Sequence, residues 1–465
     1  MNFRGPLAWL CLALCAGLGV ACFGKAKRRP GTPPRNVLLV TASGLRKDHL
    51  SAYMYARPTS AWPATEEERR LGRALSLDDL AEQGVLFADA SSGAPRTIPA
   101  IVQLLTGTRS AVPSDAEQDV DLEADATSLA ERFQEKGFRT AAFVAGPLLQ
   151  KKHGLDQGFD LWFARYSDMA VLEPARQWLQ DSEQEPDKPW FVWVHLVGGE
   201  PPHDPRSLPT LPTEVPGVLD FSRLYSDPKY SGPADGSIAY LARLKSGEAS
   251  ASEQDRARLV DLYDGEVARV AASLRTLALA LRNQDEQGKR WNETLLVFAG
   301  LYGLELGDSG PRAWDNDSLS AAVTGAPLFL RHPLSLTGSR VMAEPVGLED
   351  VAPTLCDWFG LAPLDARQHA IQGRSLLPLV DTYVKKPFEH RDSFAALSGA
   401  APSRSLRRRE YAIVETQRDG AAQVALYDRI ADPGELHDIA ASRAELVVEM
   451  RAALDRATFE SGHRP

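Results

Sequence analysis

Asn36 to Leu50 reads NVLLVTASGLRKDHL. Val37, Leu38, Leu39 and Val40 make a nearly continuous apolar run without alternation, the pattern of a strand covered on both faces in a parallel sheet. We read it as the first strand of an α/β main domain. Ligands of open α/β sheets bind beyond the carboxyl ends of such strands. Thr41, Ala42, Ser43 and Gly44 therefore stand at the edge of whatever site this fold carries.

Upstream of the strand, Leu7 to Val20 is apolar after a lone Arg4. It is too short for a comfortable membrane span and has the length of a signal-peptide core. Gly19, Val20 and Ala21 then lead into Cys22, a junction similar to the lipobox of bacterial lipoproteins, with leucine one place further back. The reading is a signal peptide over 1–21, a lipidated Cys22 and linker over 22–35, and an exported protein anchored by lipid to a membrane of the cell envelope. A plain secretory signal is one alternative. An uncleaved N-terminal anchor is the other, and the basic residues Lys25, Lys27, Arg28 and Arg29 favour it.

The chain has 465 residues, 44% hydrophobic and 25% charged, enough for one large domain with an appendage or for two domains. A formal net charge of -10 argues against a nucleic-acid-binding surface. Of the four cysteines, Cys11 and Cys15 lie in the signal segment and Cys22 carries the lipid. Only Cys356 remains for the folded part, which excludes a disulfide framework and a cysteine-metal site.

Further along, Leu77 to Ala81 followed by Gly84, Val85 and Phe87 reads as a helix, a glycine stop and a short strand. Arg57 to Arg73 is polar and reads as an exposed loop or helix. Thr140–Val144, Pro189–Leu196, Thr294–Phe298 and Pro327–Leu330 read as strands. Gly198 to Gly236, rich in proline, serine and glycine, reads as a surface excursion. From Ser252, the residues Leu259, Leu262, Tyr263, Val267, Val270, Leu274, Leu277 and Leu281 recur every three or four places on one helical face. Beyond Pro387, Tyr411–Thr416 and Gln423–Asp428 read as paired strands, followed by a helix over Ser442–Thr458.

The segment Leu45, Arg46, Asp48, His49 and Leu50 resembles the opening of the sulfatase and phosphonate-hydrolase branch of the alkaline phosphatase superfamily. Further matches are Gly158, Phe159 and Asp160; Val346–Phe359; Gly373–Leu379; and the string Leu426, Tyr427, Asp428, Asp432, Pro433 and Glu435. The resemblance runs from Asn36 to Thr458. It implies a mostly parallel sheet flanked by helices over 36–386, and a small α+β C-terminal subdomain over 387–465.

Members of this family attack a sulfate or phosphate ester with a nucleophile at a helix N-terminus, beside a divalent metal. The corresponding motif here is Ala94 to Gly107, APRTIPAIVQLLTG, with Thr97 at the nucleophile position and Ile101 where relatives carry arginine or histidine. Threonine does not serve the oxidised nucleophile of standard sulfatases, and as a cap for a helix starting at Ile98 it needs no chemistry at all. Ser43 holds the position of the first metal-binding aspartate. Leu301 and Tyr302 hold those of the aspartate-histidine pair after the Thr294 strand, while Gly303 keeps the turn. Gly198, Gly199 and Glu200 replace an aspartate-proline-histidine run, with His203 displaced. Asp315, Ser320, Ala321 and Ala322 fall where relatives carry further site residues.

The resemblance therefore implies a divalent metal whose ligands are missing, and no cofactor is expected. His195 reads as a core histidine. Gly44, Arg46, Glu200, Leu301 and Tyr302 remain as cleft positions, and Glu305 and Asp308 read as solvated loop acids rather than a relocated metal site. Three functions compete. The first is an inactive sulfatase-like envelope lipoprotein that binds an unknown ligand in the old cleft. The second is an active sulfate- or phosphate-ester hydrolase or transferase using Thr97. The third is a structural partner of an envelope protein.

Overall fold

The computed structural model describes residues 34–61, 66–67, 75–109, 122, 126–182, 185, 187–203, 221–282, 288–336, 338–364, 371–381, 387–388, 390–398, 401–418 and 420–460. The signal segment, Cys22, most of the linker, part of the 57–73 and 198–236 loops and the 386/387 boundary lie outside the described residues.

In chain order the strands of the main body are β1 (Asn36–Ala42), β2 (Val85–Phe87), β3 (Ala90–Ser91), β4 (Arg139–Ala145), β5 (Leu161–Arg165), β6 (Trp190–Leu196), β7 (Thr294–Gly300), β8 (Leu328–Arg331), β9 (Arg340–Met342) and β10 (Val346–Gly347). Eight of them form one sheet in the order β5-β4-β6-β1-β7-β8-β2-β9, and β3 pairs separately with β10. Within the large sheet β8 alone runs against its neighbours. The continuous apolar run of β1 is explained by its place. It lies between β6 and β7, parallel to both, with every residue buried.

The helices used below are α1 (Leu77–Glu82), α2 (Thr97–Thr106), α3 (Leu129–Glu135), α4 (Asp168–Asp181), α5 (Ile238–Ser246), α6 (Glu253–Arg282), α7 (Val351–Phe359) and α8 (Ala444–Glu460). Just ahead of α6, the Ser252 hydroxyl accepts from the Asp255 amide while Asp255 accepts from the Ser252 amide, a reciprocal cap that fixes where the helix begins. Its three-and-four spacing puts Leu259, Leu262, Tyr263, Val267, Val270, Leu274, Leu277 and Leu281 into the core.

Strands β11 (Ser393–Leu397), β12 (Ser403–Arg407), β13 (Tyr411–Arg418) and β14 (Ala421–Asp428) make an antiparallel sheet in sequence order. Helix α8 covers it, and Phe394, Leu406, Ile413 and Leu426 of the sheet pack with Met450, Ala453 and Leu454 in a core of their own. This small subdomain and the mostly parallel main sheet are the architecture expected from the sequence. Among the described residues no helix is long and apolar enough to cross a membrane.

Leu355 on α7 and Leu376 are 0% and 1% exposed. Truncating either to alanine should cost about 2–5 kcal/mol, the usual range for a leucine deleted from a core that relaxes little. Denaturant titration of the two variants checks this, and unchanged midpoints would contradict the packing.

Candidate active site

The parallel register makes β6, β1 and β7 end side by side. Thr41 lies between His195 and Ala299, and Ala42 between Leu196 and Gly300. The three following segments, 43–46, 197–200 and 301–304, therefore converge at the carboxyl edge of the sheet. Backbone hydrogen bonds knit them together: Ser43 N to Leu196 O at 3.2 Å, Gly199 N to Ser43 O at 3.0 Å and Leu301 N to Ala42 O at 2.8 Å. From α6 the Tyr263 hydroxyl donates to Gly44 O at 2.8 Å and accepts from Arg46 N at 2.7 Å. Burial raises the pKa of this phenol, so it stays protonated and can fill both roles.

Glu200 is positioned by a second buried group. Asp168, at the start of α4, accepts from Val197 N at 2.7 Å and pairs with Arg269 of α6. Arg269 also donates to Gly198 O at 2.9 Å and pairs with Glu266 at 2.6 Å. The turn that leads to Glu200 is thus held by two helices.

Helix α2 begins at Thr97 itself, not at Ile98. Arg96 is the extended N-cap residue and makes no side-chain cap. The Thr97 hydroxyl is consequently not a capping group. Its Oγ1 lies 2.8 Å from Glu200 Oε1, 2.8 Å from the Tyr302 hydroxyl and 3.3 Å from Ser43 Oγ. The Tyr302 hydroxyl also donates to Glu200 Oε1. One carboxylate oxygen thus accepts from two hydroxyls, and every member of the group but Glu200 is buried. Ser43 and Leu301 are 0% exposed, Tyr302 2% and Thr97 4%, while Glu200 is half-buried.

Arg46 belongs to the walls. It is bonded to Asp48 at 2.7 Å, to Leu304 O at 3.2 Å and to Asp308. Burial opposes its charge, but the two carboxylates outweigh that and raise its pKa. His195 is buried on β6 with Nδ1 2.8 Å from Thr41 Oγ1, and burial pushes its pKa down to about 4.

Glu305 is not a solvated acid. It is 2% exposed, and its carboxylate accepts from Ser309 at 3.0 Å and from Ser318 and Ser320 at 2.7 Å. These hydroxyls come from the segment that folds over it, which is why a burial-blind reading of a loop acid fails here. Asp315 pairs with Lys245 of α5 at 2.6 Å, and Asp317 with both Lys245 and Arg96.

Sequence reasoning did not single out Asp168 or Arg269, and it saw Tyr263 only as an apolar helix position. A tyrosine at a core position of an amphipathic helix is itself a signal, because its hydroxyl requires a buried partner. The Asp168–Arg269 pair leaves no such trace, since each residue alone reads as surface charge.

A mostly parallel α/β sheet with its site at the strand ends and a hydroxyl at a helix N-terminus is the arrangement expected from the resemblance to the ester hydrolases of the alkaline phosphatase superfamily. The family model for sulfatases matches residues 35–361, and the chain belongs to the sulfatase family. It is 22% identical over 403 residues to an ulvan-active sulfatase of Formosa agariphila, covering 78% of this chain and 71% of that protein. Among solved structures it is similar to a 2-O GAG sulfatase, with a TM-score of 0.69, 18% identity and 93% of each chain covered. It is also similar to the phosphonate monoester hydrolase of Agrobacterium radiobacter, with a TM-score of 0.67, 19% identity, and 92% of this chain and 96% of that one covered.

The family's divalent metal would need several anionic oxygens or imidazoles around the nucleophile. Ser43, Leu301 and Tyr302 supply a hydroxyl, an alkyl group and a phenol. Glu200 is the one carboxylate bonded to Thr97 among the described residues, and its Oε1 already accepts from Thr97 and Tyr302. Among the described residues no group of three or more His, Cys, Asp or Glu side chains is arranged to hold a metal ion. These residues do not fit the cation.

Two outcomes follow. Tyr302→Phe removes a donor from a partly buried carboxylate and should lower stability by about 1.5–3 kcal/mol, read from chemical denaturation. Because His195 is held neutral, with its pKa below the ordinary 6.5, the unfolded chain takes up the proton first. Its stabilising contribution is complete above that ordinary value and is lost as pH falls through about 4. The melting temperature should drop over this window, and His195→Asn should make the drop smaller. Burial depresses His203 and His332 in the same direction, so part of the slope should persist.

Proposed function

We propose that this chain is a sulfatase-family pseudoenzyme: an exported protein, lipid-anchored at Cys22, with the α/β unit over 36–386, the C-terminal unit over 387–465 and no ester hydrolase activity of its own. The observation that carries the reading is the filled neighbourhood of Thr97 Oγ1. A carboxylate and a phenol stand within 2.8 Å of it, where a metal-dependent hydrolase needs a cation in contact with its nucleophile. Electrostatics support the same conclusion. A carboxylate without a compensating metal repels sulfate and phosphate esters.

The competing reading, an active sulfate- or phosphate-ester hydrolase using Thr97, has one observation in its favour. Glu200 lies at the distance of a general base. Thr97 is nonetheless almost completely buried, so a substrate has little access to its hydroxyl. A burial this complete also disfavours a ligand seated directly on Thr97. The remaining role is binding through surfaces outside the old cleft, as a partner within the envelope.

Elemental analysis of the purified mature protein, beside aryl sulfate and aryl phosphate assays with Mn, Ca and Zn, tests the proposal. We expect no stoichiometric metal and the same background rate in wild type and Thr97→Ala. Bound metal together with turnover that vanishes in Thr97→Ala would overturn it. The anchor is tested separately: labelled palmitate should enter wild type and not Cys22→Ser, and equal labelling would remove the lipoprotein part alone.

A further inference from the structure

A cavity of about 360 Å3 opens on the seam between the main body and the small subdomain, away from Thr97. Three separate segments form it: residues 343–345 between β9 and β10, residues 390–392 leading into β11, and residues 408–410 in the turn between β12 and β13. Its charged lining consists of Arg391, Arg408 and Arg409 against Glu344, Asp392 and Glu410.

The walls are fixed by ion pairs that run behind the cavity. Arg391 donates to Glu349 at 2.7 Å and to Asp350 at 2.5 Å, two carboxylates that are almost completely buried. Arg408 pairs with Asp392 at 3.1 Å and with Glu449 at 2.6 Å. Its amide closes the turn onto Tyr411 O at 2.9 Å, and its carbonyl accepts from Arg429, which is in turn clamped to Asp89 at 2.6 Å. A cavity built on such pairs is present before any ligand arrives, and small-molecule sites are commonly preformed and found between structural units.

After these pairs are counted, Arg409, Glu344 and Glu410 are left. Among the described residues none of the three makes an ion pair, and Nη2 of Arg408 has no acceptor. The uncommitted groups are thus of both signs. The lining carries three guanidiniums and three carboxylates, beside His390. A bare anion meets Glu344 and Glu410, and a bare cation meets Arg409, so neither is gathered. A molecule that carries both charges satisfies both sets at once.

We infer that this cavity is a binding site for a small zwitterion, an ammonium group and a carboxylate joined by a short hydrocarbon spacer. The carboxylate takes the N–H groups of Arg409 and Nη2 of Arg408, where a guanidinium gives charge-assisted, directional hydrogen bonds. The ammonium group takes Glu344 and Glu410. Ala343 and Pro345 of the same lining supply the apolar surface for the spacer. This site is independent of whether the Thr97 cleft is active, because it shares no residue with that cleft.

Calorimetric titration of the full mature protein with β-alanine and γ-aminobutyrate tests the inference, with butyrate and butylamine as single-charge controls. Saturable binding of at least one zwitterion, and weaker binding of both controls, is the expected result. Arg409→Ala and Glu344→Gln should each weaken that binding about tenfold or more, the loss of one charge-assisted contact, while Thr97→Ala leaves it unchanged. Both substituted side chains lie at the cavity rim, and matching circular dichroism spectra and melting temperatures would show that the fold is kept. Absence of saturable binding by either zwitterion, controls that bind as well as the zwitterions, or affinity indifferent to both rim substitutions would each overturn the inference.

Discussion

Where β1 and β6 leave the sheet, the two chains cross so closely that a side chain fits at neither crossing point. A Cβ on Gly44 would lie 2.8 Å from Glu200 N, and one on Gly198 would lie 2.2 Å from Ser43 O. Both glycines also hold positive φ, 61° and 71°, which residues with a side chain rarely adopt. The crossing is what carries Glu200 to Thr97. It is held from one side by the Tyr263 hydroxyl and from the other by the Asp168–Arg269 pair, so the floor of the site is part of the core of the protein.

That floor is a polar group closed on itself. Hydroxyls of Thr97 and Tyr302 share one carboxylate oxygen of Glu200, with Ser43 alongside. Buried polar groups are tolerable when each donor meets an acceptor, and costly otherwise. A metal centre satisfies its anionic ligands with a cation. Here hydroxyl protons of Thr97 and Tyr302 satisfy the carboxylate.

Helix α2 is anchored at both ends. At its start Thr97 enters the hydroxyl group just described. Within the helix Gln103 accepts from Gly93 N at 3.0 Å and donates to Glu349 at 2.7 Å. Arg109, just past the helix, reaches the same carboxylate at 2.9 Å. Burial would raise the pKa of Glu349, but Arg391 and Arg109 outweigh it and hold the group ionised. Burial prevails at the neighbouring Asp350, whose pKa is raised. Arg391 belongs to this knot and to the wall of the seam cavity, so helix α2, helix α7 and the small subdomain share one set of buried charges.

The strands β1, β6 and β7, the long helix α6 and the β13–β14 pair were legible from Asn36–Leu50 and from local periodicity elsewhere. A run of consecutive apolar residues or a three-and-four spacing describes its own environment. The same reading, together with the family resemblance, set Ser43, Leu301 and Tyr302 against the acidic and imidazole ligands of relatives. It did not reveal that Tyr302 reaches Thr97, that Glu305 is enclosed by three serines, or that Thr97 opens its helix instead of capping it. Nor did it find Arg269 or Asp168. What a polar side chain does in a core is set by which partner lies within about 3 Å of it, and those partners come from segments far apart in the chain. Composition and period determined which segments are buried, and only the tertiary structure decided which buried polar groups meet.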